Sequence, residues 1–169
     1  MEMPDITIEP LRTASDLRLC CDIWLAASQK GHWFVDGDFW WEKYQDMLAL
    51  HLPGSRVHIA VCDGVAAGFS ATSGDMLAAL FVHPDRWGKG IGKALLAFLA
   101  GHHGRLRLAV YEKNERAANF YRRFGFKPIA AGVCPDTGEK ELHMQWIRAD
   151  APAEKGAGEA SAEGYAGPR

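Results

Sequence analysis

At 169 residues, 48% of them hydrophobic, the chain is long enough to bury the core of one globular domain. A formal charge of −2, with both signs interspersed, argues against a nucleic-acid-binding stripe. Apolar runs of at most seven or eight residues fall far short of a membrane span.

The N-terminus, MEMPD, is acidic and lacks an apolar stretch, so no signal peptide is expected. Cys20, Cys21, Cys62 and Cys134 have no C-x-x-C spacing and read as buried free thiols of a reducing compartment. Cytoplasmic localisation is therefore expected, with no metal.

Ile6 to Leu11 alternates weakly and suits a first strand. Thr13 or Ser15 can cap the helix that follows, where Leu17, Cys20, Cys21, Trp24, Leu25 and Ser28 keep helical spacing until Gly31. Asp36-Gly37-Asp38 supplies a turn with cap residues. A second helix then carries Trp40, Tyr44, Met47 and Leu48 on one face and stops before Pro53-Gly54. Trp40 and Tyr44 read as core anchors. Trp33, Phe34 and Trp41 fall off that stripe and suit an aromatic-lined pocket for a substrate. His32 lies beside them; an imidazole near pKa ~6.5 can take a proton at pH 7, although a loop histidine can equally be a mere hydrogen-bonding group.

Arg56 to Cys62, Asp63-Gly64 and Val65 to Thr72 spell a hairpin with a strong two-residue turn signal. A further turn leads into the strand Met76 to Val82. After His83-Pro84, Gly88, Gly90 and Gly92 alternate at the threshold of a helix whose Ile91, Leu95, Phe98 and Leu99 share one stripe. Glycines there are costly unless the backbone must contort or let something approach. The unpaired N–H groups of a first helical turn make an anion site. The P-loop pattern fails because Ala94 follows Lys93, and G-x-G-x-x-G fails because Lys93 stands where its last glycine belongs.

A strand, V-x-P and G-x-G-x-G opening a helix resemble motif A of the GNAT superfamily of N-acyltransferases. In that family the loop holds the pyrophosphate of acetyl-CoA. The family pattern is (Gln/Arg)-x-x-Gly-x-(Gly/Ala); position 87 here is Trp, with Arg86 one place early. The resemblance implies that Trp87, Gly88, Lys89, Gly90, Ile91, Gly92 and Lys93 bind the cofactor, mainly through backbone. It also implies that a bulge in the preceding strand, at Leu80, Phe81 and Val82, exposes a backbone N–H to the acetyl carbonyl.

Arg105 to Val110 is the next strand, and a helix runs from Asn114 to Phe124, closed by Gly125. Seven residues, about two turns, separate Asn114 from Tyr121, so both face one way, with Ala117 and Ala118 between them. Such a face is open enough for a thin chain, while Arg116, Asn119, Arg122 and Arg123 fall on the outside. L-x-V-x-x-x-N-x-x-A-x-x-F-Y-x-x-x-G-F, from Leu108 to Phe126, resembles GNAT motif B. There the Asn binds the pantetheine region and the Tyr sits beside the thioester sulfur. Two last strands, Phe126 to Val133 and Glu141 to Ile147, join through Pro135 to Gly138. From Ala149 to Arg169 the composition collapses to Ala, Gly, Glu and Pro, which reads as a disordered tail after a domain spanning 1–148.

The fold expected is α/β of the α+β kind: a mixed, largely antiparallel sheet of about seven strands flanked by about four helices. Tyr121 is the expected acid for the departing thiolate. A phenol near ~10 against a thiol near ~8.5 favours hydrogen-bond donation over full transfer, which would cost about 2 kcal/mol. Some family members carry a Glu base where this chain has Ala109. His32, ahead of Asp75, Glu141 and His143, is the base expected in its place. The function implied is acetyl transfer from acetyl-CoA to an amine of a small molecule or peptide. An acetyl-CoA sensor without turnover is the alternative. Neither nucleic acid nor membrane is expected as a partner, and the state is monomer or homodimer.

Overall fold

In the computed structural model, residues 2–150 are described; the expected tail lies outside them from residue 151 onward. Seven strands form one sheet: β1 (Ile6–Pro10), β2 (Arg56–Cys62), β3 (Val65–Ser73), β4 (Met76–Val82), β5 (Arg105–Tyr111), β6 (Lys127–Val133) and β7 (Lys140–Ile147). Their order is β1-β2-β3-β4-β5-β7-β6, antiparallel except where β4 meets β5. Four helices flank it: α1 (Ala14–Gly31), α2 (Gly37–Asp46), α3 (Ile91–His102) and α4 (Glu115–Phe124). The expected architecture is the one found.

Thr13 caps α1 reciprocally: its hydroxyl accepts from the Asp16 amide at 3.1 Å, and the Asp16 carboxylate accepts from the Thr13 amide at 3.0 Å. Trp24 and Trp40, both fully buried, meet edge to face with centroids 6.0 Å apart and fasten α1 to α2. The second helix departs from the plain spacing read in the sequence. After Asp46 it widens into a π turn over Met47–His51, and the Leu52 amide donates to the Met47 carbonyl at 3.1 Å. That step brings both Met47 and Leu52 to the core and turns Leu50 to solvent.

α1 and α2 cover one sheet face through Ile59, Phe69, Phe81 and Tyr111. α3 and α4 cover the other, with Leu96, Leu99, Leu106, Leu108, Tyr121 and Phe126 as a second core. All four cysteines are buried and unbonded to one another, and burial pushes the thiols of Cys20 and Cys21 up to about 12. No described helix is long and apolar enough to cross a membrane.

Candidate active site

β4 and β5 share a single register pair, Met76 with Arg107, and then diverge. Asp75 holds the apex. Its carboxylate accepts from Arg105 Nε at 2.8 Å and Arg107 Nη2 at 2.9 Å, and its carbonyl accepts from the Arg107 amide at 2.9 Å. Burial pushes this carboxyl up, but the hydrogen bonds from Arg107 and Arg105 outweigh it and hold the group below the ordinary range.

Beyond the apex lies a cavity of about 660 Å³ between α1, β4, the glycine loop and α4. The β4 irregularity is not where the resemblance placed it. Ala71 pairs with Ala79 and Thr72 with Leu77, so the extra residue is Ala78, and Leu80 to Val82 pair regularly with β3. Free amides arise there by a different route. The His83 amide donates to the Ala67 carbonyl on the β3 side at 2.8 Å. Antiparallel alternation then sends the amides of Leu80 and Val82 the other way, into the gap that β5 leaves. Phe81 directs its amide at β3 by the same alternation, and the residue still lines the cavity.

Gly88 and Gly90 adopt φ of 79° and 83°, and a Cβ on either would meet nothing within 4 Å. Their glycine is required by backbone conformation rather than by space. The first helical bond of α3 runs from the Ala94 amide to the Gly90 carbonyl at 3.0 Å. The amides of Ile91, Gly92 and Lys93 therefore have no acceptor within the helix. Gly92 serves a different need: a Cβ there would stand 3.3 Å from the Phe120 ring, so it sets how closely α4 approaches α3.

From α4, Asn114, Ala117, Phe120 and Tyr121 line the cavity. Asn114 Oδ1 caps the helix by accepting from the Ala117 amide at 3.3 Å, a bond that does not engage Nδ2. Tyr121 is only 8% exposed, packed between Phe120 and Phe126, and burial raises its phenol well above the usual range. Arg116 and Arg123, read from the helical pattern as outward-facing, also line the cavity, as does Arg86. Their positions depend on how α4 meets the loop, which periodicity within one helix does not encode. Lys89 points to solvent and is not part of the lining.

His32, at the C-terminus of α1, is 1% exposed and lies in the cavity wall beside Phe81. Rings of Phe34, Trp40, Phe81 and Tyr111 surround it at centroid distances of 4.9 to 6.4 Å. Of the other bases considered, Asp75 is committed to two arginines. Glu141 is buried on β7 with its carboxylate 3.4 Å from His143 Nε2, and neither lines the cavity. Trp33, Phe34 and Trp41 do not line it either. Trp33, 73% exposed, steps through Phe34 to Tyr111 and His32, while Trp41, 60% exposed, rests on Tyr44. Among the described residues no cluster of three or more His, Cys, Asp or Glu can hold a metal ion.

Residues 53–128 match the model of the acetyltransferase (GNAT) domain. The peptidyl-lysine N-acetyltransferase YiaC of Escherichia coli is 32% identical over 133 residues, covering 78% of this chain and 91% of the relative. In three dimensions the apo form of YjaB from Escherichia coli superposes with a TM-score of 0.75 at 26% identity, over 85% of this chain and 98% of its own. YncA from Salmonella typhimurium, solved with acetyl-CoA, shares the fold at a TM-score of 0.62 and 21% identity, over 90% and 99% of the two chains.

Proposed function

Because this chain belongs to the GNAT family and is an acetyl-CoA-dependent N-acetyltransferase, we propose that its acceptor is the side-chain amine of a peptidyl lysine, acetylated by direct attack while donor and acceptor are both bound. The names of YiaC and YjaB support the acceptor. One observation supports the mechanism: the glycine loop, Tyr121 and His32 all line a single cavity.

The residues fit the donor. Unpaired amides at Ile91 to Lys93 and the positive-φ glycines suit a diphosphate, and Asn114 Nδ2 and the small Ala117 suit the thin arm beyond it. Acetyl-CoA, when bound, supplies an acyl carbon open to amine attack and a sulfur able to depart. The amides of Leu80 and Val82 face the gap and stabilise negative charge building on the acyl oxygen. Tyr121 keeps its proton because burial disfavours the phenolate, and it donates a hydrogen bond to the departing sulfur. His32 takes the proton that a lysine must lose. That loss costs about 4.6 kcal/mol at pH 7 for an amine near ~10.4, against about 1.4 for an α-amine near ~8. A base in the wall is what a lysine acceptor calls for.

The test uses two peptides with acetyl-CoA: one with a lysine and a blocked N-terminus, one with a free α-amine and no lysine. Thiol release and mass spectrometry are expected to show acetylation of the lysine. Acetylation of the α-amine alone overturns the acceptor assignment.

A further inference from the structure

Trp87 touches both walls of the cavity. Its Nε1 donates to the Val82 carbonyl at 2.8 Å, which fixes the ring at the mouth of the glycine loop. Lys30 of α1 lies 5.1 Å from the ring centroid, and a Cβ on Gly31 would come within 3.9 Å of Cη2. From the opposite side of the cavity, α4 lays the Arg116 guanidinium on the same ring at 3.7 Å. A guanidinium stacked by its face keeps its in-plane N–H donors available, and that fork matches two phosphate oxygens.

Nothing within the described protein answers this charge. Arg86, Lys93, Arg116 and Arg123 all line the cavity, and among the described residues no carboxylate stands within 4 Å of any of them. Desolvation, and then the neighbouring Arg123, depress the Arg116 pKa, as expected for cations assembled before their anion arrives. Four cations around unpaired helix amides are arranged for a polyanion.

We propose that Arg116, held flat against Trp87, grips the diphosphate of the donor from the α4 side, so that indole and guanidinium together close over the cofactor as a clasp. The inference rests on the acetyl-CoA reading above. It assigns to two side chains a share of binding that the loop amides do not supply. The ring sits next to the glycine loop, which places the guanidinium at the diphosphate rather than at the ribose 3′-phosphate.

The experiment is isothermal titration of CoA and of dephospho-CoA, which lacks the 3′-phosphate, into wild type, Arg116→Ala, Arg116→Lys, Trp87→Leu and the double variant. Arg116→Ala is expected to weaken both ligands by the same tenfold to hundredfold, to flatten the salt dependence of binding and to leave the melting temperature of the free protein unchanged. Arg116→Lys, which keeps charge but not the planar fork, recovers less than half of the loss on a logarithmic scale. Trp87→Leu costs part of the same factor and adds little to Arg116→Ala, because the two act as one unit. Wild-type affinity in Arg116→Ala, additive losses in the double variant, or a loss confined to CoA and absent for dephospho-CoA each overturn the clasp. Wild-type protein that bound neither ligand would defeat the acetyl-CoA reading itself.

Discussion

The two walls of the cavity are made of different material. The wall from the glycine loop and α4 is polar: main-chain amides, one carboxamide, one phenol and guanidinium groups, set on small residues that let a ligand come close. The wall from the end of α1 is made of Ala27, Gly31 and His32 with Phe81 beside them, and the rings of Phe34, Trp40 and Tyr111 pack behind His32 without lining the cavity. The polar wall suits a ligand of fixed structure, with phosphates at one end and sulfur at the other. The α1 wall offers one imidazole among small and apolar groups, with little to recognise beyond a reacting amine.

The largest effect separates the walls by step. Tyr121→Phe removes only a hydroxyl, so CoA binding should hold while kcat falls by about 10²–10⁴. Stopped-time thiol assays alongside CoA titration check it. Loss of affinity with unchanged kcat would make the phenol a packing group. His32→Gln comes next, on the other wall: kcat/KM for a lysine acceptor should drop about a hundredfold. A less basic aryl amine, which needs no such help, should suffer far less. Equal losses for both amines would mean that the imidazole only packs among the rings behind it.

These walls also differ in how openly the sequence announces them. The loop and α4 are legible because their function is carried by local order: positive φ at Gly88 and Gly90, the helix threshold, and two turns between Asn114 and Tyr121. What escaped was what elements do to one another. Arg116 looks outward on its own helix, and only the approach of Trp87 turns it into cavity lining. The π turn at Met47–His51 exchanges Leu50 for Leu52 in the core, a shift that no 3.6-residue pattern carries. The free amides of β4 come from a missing neighbour strand, which is a property of the sheet. The α1 wall was harder still: Trp33 and Trp41, expected at a substrate pocket, stand exposed outside the cavity, while the buried His32 lines it.

Two glycines sharpen the polar wall at smaller cost. Gly90→Ala forces a Cβ into φ of 83° without any clash, so strain of about 1 kcal/mol should appear in stability and up to tenfold in CoA affinity. Gly92→Ala meets the Phe120 ring instead, and should disturb the α3–α4 contact as well as the loop. Thermal melts with and without CoA distinguish them: the ligand-induced rise shrinks in the first, and the unliganded melting temperature falls further in the second.

The last effect bears on stability rather than on either ligand, at the apex from which both walls diverge. Asp75 joins β4 to Arg105 and Arg107 of β5 where the strands part, so Asp75→Asn keeps the shape and removes the charge. Its carboxylate is partly exposed, which limits the loss to about 1 kcal/mol or less. The carboxyl is held below its ordinary value, so its contribution is complete above pH ~4 and disappears as pH falls through the depressed folded value. Urea melts at neutral pH should therefore separate wild type from Asp75→Asn, and the gap should close on acidification below pH ~4. A gap that stayed constant down to pH ~2 would show that the apex is held by shape and backbone, with the two arginines as bystanders.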